Sequence, residues 1–137
     1  MEASFGWAPF GPATQASGAP APPSPIPARR LAIVTCMDAR VDPLHALGLQ
    51  LGDAHVIRNA GALVGDDVLR SLAASRELGG TTAVVILAHS DCRAHGGDDA
   101  VAGSAAREGV ERVGAELPEL DATGVLYDLA SGRVSPL

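Results

Sequence analysis

Leu31-Ala32-Ile33-Val34-Thr35-Cys36-Met37-Asp38-Ala39-Arg40 is the stretch that decides the fold. Its first five residues form a short unbroken apolar run, as expected of a strand buried on both faces of a parallel sheet. Thr82 to Ala88, with the core Ala83-Val84-Val85-Ile86-Leu87, repeats the pattern. Ala54-His55-Val56-Ile57-Arg58-Asn59 reads as a further strand, closed by the turn-forming Asn59-Ala60-Gly61. Between these runs, Asp66 to Leu78 places Val68, Leu69, Leu72 and Ala73 on one side, with acidic residues in the first turn and Gly79-Gly80 at the end. That is an amphipathic helix with a glycine cap. Strands alternating with helices predict an α/β fold, a mainly parallel central sheet of about four strands flanked by helices.

Working outward, Asp42 and Pro43 open one or two helical turns as N-cap and first helical residue, reaching to about Leu49. Asp98 to Leu117 fits a helix imperfectly, with Val101, Ala105, Val110, Val113 and Leu117 as its apolar positions and Gly103, Gly109 and Gly114 weakening it. Pro118 stops it. Gly124 to Asp128 is the last strand candidate, and Ser131-Gly132 turns it into a short tail around Val134. Residues 1–29 are rich in Pro, Ala, Gly and Ser, with no helical or strand period, and read as a disordered or extended arm. Within it, Phe5, Trp7 and Phe10 are candidates for packing against a partner subunit. Residues 30–137 then form a single domain.

Composition excludes several functions. With 47% hydrophobic but only 3% aromatic residues, the core depends on small and aliphatic side chains, and oligomerisation would help such a chain. The net charge of −6 and ten scattered cationic residues, all arginine, argue against nucleic acid or anionic membrane as partners. Without lysine there is neither a Schiff-base nucleophile nor the lysine of a P-loop. No stretch approaches the apolar length of a membrane span, and the start lacks a signal-peptide pattern, so the expected location is cytoplasmic. In that reducing compartment a Cys36–Cys92 disulfide is disfavoured and thiolate ligation of a metal favoured.

Cys36-Met37-Asp38-Ala39-Arg40 and His89-Ser90-Asp91-Cys92 each follow a predicted strand, and together they use both cysteines. In open α/β sheets ligands bind beyond the carboxyl ends of the strands, so both motifs point to one site. Two thiolates and an imidazole suit zinc, and three protein ligands leave a fourth position for water or a carboxylate. Should the chain leave the strand still extended, the i, i+2, i+4 spacing puts the Cys36, Asp38 and Arg40 side chains on one side. The blander reading of the cysteines is a pair of small core residues; that of Asp38 and Arg40 is a structural ion pair. His95 reads as a solvated loop histidine in preference to a proton shuttle or ligand, and His45 and His55 as packing residues. Ser90 and Asp91 are candidates for orienting the ligand loop. Gly61 to Gly65 lacks the full phosphate-loop fingerprint and reads as a turn into the following helix.

From Leu31 to Cys92 the chain resembles the β-class carbonic anhydrases, whose zinc motif is Cys-x-Asp-x-Arg followed by His-x-x-Cys. Gly52 to Gly61 and Asp66 to Leu72 resemble that family's second strand and next helix, and Gly124 to Arg133 its last strand, more weakly. The resemblance implies one zinc ion per chain on Cys36, His89 and Cys92, with Asp38 and Arg40 as a neighbouring dyad. Asp38 would either take the fourth zinc position or pair with Arg40 and admit water. The implied reaction is reversible hydration of carbon dioxide to bicarbonate by zinc-bound hydroxide, in a homodimer or dimer of dimers. Two departures stand out: Arg93 occupies a position where the family commonly has Gly, and Arg93 to Thr123 is short for the family. Hydrolysis of carbonyl sulfide or carbon disulfide on the same site, or a non-catalytic zinc-binding homologue, are the rival readings.

Overall fold

The computed structural model describes residues 23–137. Phe5, Trp7, Phe10 and most of the proposed arm lie outside the described residues. The elements run β1 (Leu31–Cys36), α1 (Pro43–Ala46), β2 (Ala54–Asn59), α2 (Asp66–Gly79), β3 (Ala83–His89), a 3₁₀ turn (Arg93–His95), α3 (Asp99–Glu116), β4 (Asp121–Tyr127) and β5 (Val134–Pro136). They build a five-stranded sheet in the order β2-β1-β3-β4-β5. The first four strands are parallel; β5 pairs antiparallel with β4. The expected α/β architecture is therefore present. The fifth strand is the tail around Val134, which the turn at Ser131-Gly132 returns along β4.

Strand β1 is central, and its alternation feeds two cores. Ala32, Val34 and Cys36 join Val84, Ile86 and Ala88 in the larger core, with residues of α2 and α3. Ile33 and Leu87 face the other way, under Val41 and the half-buried Leu44, Leu47 and Leu49 around α1. Asp42 caps α1, accepting from the His45 amide at 3.3 Å. Gly80 ends α2 in the left-handed conformation, where its amide donates to Arg76 and Ser75 carbonyls.

Helix α3 buries the expected Val113, with Val110 and Leu117 packed against the core, but the rest of its buried stripe is small residues. Its buried residues are Ala102, Gly103, Ala106, Gly109 and Val113, while Val101 is 47% exposed. Two of the three glycines that weaken the helix by propensity, Gly103 and Gly109, are part of its contact surface. A Cβ added at Gly109 would lie 2.8 Å from Val64 Cγ2 and 2.9 Å from Ile86 Cδ1, so only a bare Cα allows this approach to the sheet.

Residues 23–29 run along the β2 side: the Ala28 and Arg29 amides donate to the Gly52 and Asp53 carbonyls, and His55 Nε2 lies 3.3 Å from the Pro25 carbonyl. Among the described residues no helix is long and apolar enough to cross a membrane.

Candidate metal centre

Parallel pairing sets Thr35 of β1 opposite Leu87 of β3, so both strands deliver their last residues to the same end of the sheet. Cys36 and His89 are those last residues, and the turn after β3 brings back Cys92. All three are buried, at 4%, 1% and 2% exposure. One ligand atom from each lies within 4.8 Å of the other two.

The donor set fits a soft divalent ion. The Cys36 and Cys92 sulfurs are 3.9 Å apart, close to the roughly 3.8 Å that a tetrahedral centre with metal–sulfur bonds of about 2.3 Å requires. His89 Nδ1 lies 2.8 Å from the Ser90 carbonyl, which only accepts, so Nδ1 carries the proton. His89 Nε2 is left as a bare lone pair, buried and without a hydrogen-bond partner among the described residues. A buried nitrogen with no partner is costly unless a ligand completes it. Burial and the neighbouring Cys36 push the Cys92 thiol up, while the backbone N–H groups of Ala94 and His95 pull it down. A cation at the cluster would overcome that penalty, since a coordinating thiol is deprotonated outright.

Asp38 and Arg40 meet at the mouth, though not by continued extension of β1. The chain turns at Ala39-Arg40, and Asp38 Oδ1 accepts from the Arg40 amide at 2.8 Å. This is the local turn that aspartate side chains favour. Arg40 Nε and Nη2 then donate to the two Asp38 oxygens at 3.0 and 2.7 Å, a bidentate clasp. Those hydrogen bonds hold the Asp38 carboxyl well below the usual carboxylate range, and they raise the Arg40 guanidinium in turn. Asp38 Oδ2 lies 3.8 Å from His89 Nε2, beside the three donors.

Asp91, with φ +53°, accepts from Arg40 Nη1 on its carboxylate at 3.2 Å and from Nη2 on its carbonyl at 3.1 Å. Its own amide donates to Asp99. The Ser90 hydroxyl accepts from the Leu129 amide at 2.9 Å. Both residues thus brace the ligand loop, in line with the sequence expectation. Arg93, the departure from glycine, is exposed and sits 3.5 Å from Asp91 Oδ2. Of the other histidines, His45 is exposed at the end of α1, and His55 bonds Ser75 Oγ at 2.6 Å. His95 is half-buried and bonds the Gly61 carbonyl, so it is not a solvated loop residue.

Sequence reasoning missed Arg58. Its guanidinium reaches back across the sheet edge to the carbonyls of Cys36, Asp38 and Val41, each at 2.9 Å, and so fixes the loop that carries Asp38 and Arg40. The available signal was a cation inside a strand with no acidic residue adjacent to it.

Residues 31–122 match the family model described as carbonic anhydrase. Beta-carbonic anhydrase 1 of Mycobacterium tuberculosis is 53% identical over 77 residues, 56% of this chain and 47% of that protein. Carbon disulfide hydrolase of Saccharolobus solfataricus is 47% identical over 64 residues, 47% of this chain and 31% of that one. The matches thus span about half the length, or less, of these curated relatives. The crystal structure of carbonic anhydrase from Streptococcus mutans superposes with a TM-score of 0.83 at 31% identity, covering 99% of this chain and 98% of that one.

Proposed function

The chain belongs to the β-class carbonic anhydrase family, and from that premise we propose that it hydrates carbon dioxide reversibly to bicarbonate on a zinc ion held by Cys36, His89 and Cys92. One observation carries the reading: the bare, buried Nε2 of His89 converges with two cysteine sulfurs beside a carboxylate clasped by arginine.

A zinc ion bound there supplies Lewis acidity, making a water acidic enough to attack carbon dioxide near neutral pH. Cys36 and Cys92, as thiolates, cancel the formal charge of a divalent ion, so acidification is weaker than with three neutral histidines and a basic group nearby helps. Asp38 is that group. Held as a carboxylate by Arg40, it accepts a hydrogen bond from the attacking water and orients it. Arg40 keeps Asp38 beside the donor cluster, and its charge does not titrate in the working range. Arg58 holds the backbone carbonyls of the same loop and so sets where the dyad stands.

The proposed working form is a cytoplasmic homodimer or dimer of dimers. Met37, next to Cys36 in sequence, and Leu63, two residues after Gly61, are 66% and 48% exposed, which supports a covering subunit.

The test is stopped-flow carbon dioxide hydration by protein of verified zinc content, with Cys92→Ala as comparison. Zinc-dependent turnover that rises with pH and disappears in Cys92→Ala supports the reading. The similarity to a carbon disulfide hydrolase favours one second reading, so carbon disulfide is assayed in parallel. Turnover of that substrate alone would replace carbon dioxide as the substrate, and zinc-loaded protein inert to both would leave a metal-binding homologue without catalysis.

A further inference from the structure

One backbone N–H group faces a sulfur of the donor cluster, and another holds the backbone of the residue that carries the second sulfur. The Gly61 amide donates to Cys36 Sγ at 3.4 Å, and the His95 amide donates to the Cys92 carbonyl at 2.9 Å. A hydrogen bond to a thiolate withdraws charge from it, and the groups that supply such bonds tune a metal site as its ligands do. Gly61 stands in the turn after β2 with φ +88°, a conformation that other residues rarely adopt. Its amide therefore needs something to hold its direction. His95 Nε2 lies 2.9 Å from the Gly61 carbonyl. The carbonyl can only accept, so Nε2 carries the proton and donates. The fit is close: a Cβ at Gly61 would fall 2.8 Å from Nε2.

We propose that His95 is a positioning residue of the metal centre: its ring pins the Gly61 carbonyl and thereby keeps the Gly61 N–H aimed at Cys36 Sγ. The residue works at two places. Its amide, in the 3₁₀ turn that follows Cys92, donates to the Cys92 carbonyl, and its ring reaches the loop beside Cys36, so one residue couples the surroundings of both cysteines. This inference rests on the metal-binding reading above.

The experiment uses cobalt(II) in place of zinc, because sulfur-to-cobalt charge-transfer absorption reports how much electron density the thiolates donate. His95→Phe keeps the ring volume and removes the donor. The expected result is a charge-transfer band moved to lower energy and a Gly61 amide that exchanges with solvent about tenfold faster, the loss of one hydrogen bond. His95→Gln, whose amide N–H can reach the same carbonyl, should restore both readings toward wild type. An unchanged band and unchanged Gly61 exchange in His95→Phe would overturn the proposal while leaving the metal site standing. A wild-type protein that takes up cobalt without any charge-transfer band would overturn the metal reading and this inference with it.

Discussion

Asp38 shows how far one residue's charge depends on its neighbour. Hydrogen bonds from the Arg40 side chain, then from its backbone amide, favour the ionised carboxyl more than desolvation opposes it. The folded-state pKa is depressed, so the pair's contribution to stability is present above the unfolded value of about 3.9 and is lost as pH falls through the lower folded value. Asp38 consequently stays a carboxylate through the neutral range, and a fall of activity on mild acidification cannot come from its protonation. Arg40→Ala should return the Asp38 carboxyl to an ordinary titration near pH 4, read by carbon-detected NMR of that side chain. A wild-type carboxyl already titrating near pH 4 would contradict the bidentate clasp. The residue types and spacing made the dyad legible in the sequence, but its geometry was not legible. Extended spacing predicts side chains sharing a side, whereas the pair meets through a turn closed by Asp38 itself. Arg58 escaped notice and His95 was read as a solvated residue for a related reason: both donate to backbone carbonyls distant in sequence, and a carbonyl leaves no mark in a residue pattern.

At the level of elements, strands and helix α2 were legible because their burial follows the apolar period, and both metal motifs sit at strand ends as the topology of an open sheet requires. Helix α3 was placed correctly, and of its expected apolar positions Val113 is buried and Val110 and Leu117 pack against the core, while Val101 is exposed. The small residues Ala102, Ala106 and Gly109 complete its contact stripe with little hydrophobic bulk, so the exposed Val101 weighs more in the pattern than they do. Close packing of this sort makes opposite predictions for two glycines of one helix. At Gly114 nothing lies within 4 Å of an added Cβ, so Gly114→Ala should stabilise by roughly 0.5–1 kcal/mol through helix propensity alone. Gly109→Ala gains the same term but drives a methyl against Val64 and Ile86, and overpacking costs about 1–3 kcal/mol. The net expectation is a loss of about 1 kcal/mol. Urea denaturation midpoints decide it: equal stabilisation by both substitutions would show that α3 does not pack on the sheet through its glycines.

For the whole molecule, the donor cluster joins segments far apart in the chain. Cys36 ends β1, His89 ends β3, and Cys92 lies on the loop that leads through the 3₁₀ turn to α3. An ion on these three residues ties the central strands of the sheet to the loop beneath the dyad. The unfolded chain has no preformed site, so binding energy appears as folding energy. At a free-metal concentration a thousand times Kd, linkage adds about 4 kcal/mol, less whatever unfolded cysteines retain. For a domain of this size that corresponds to a rise in Tm of roughly 15 °C. A core built with few aromatic residues, and with one sheet face covered, among the described residues, by the single-turn α1, its loops and Leu129, should feel such an increment strongly. Thermal melts with added zinc and with a chelator are expected to differ by about that amount, and Cys92→Ala should melt at one temperature under both conditions. A wild-type melt indifferent to zinc would mean that the three donors, however well placed, do not hold an ion, and the catalytic proposal would fall with them.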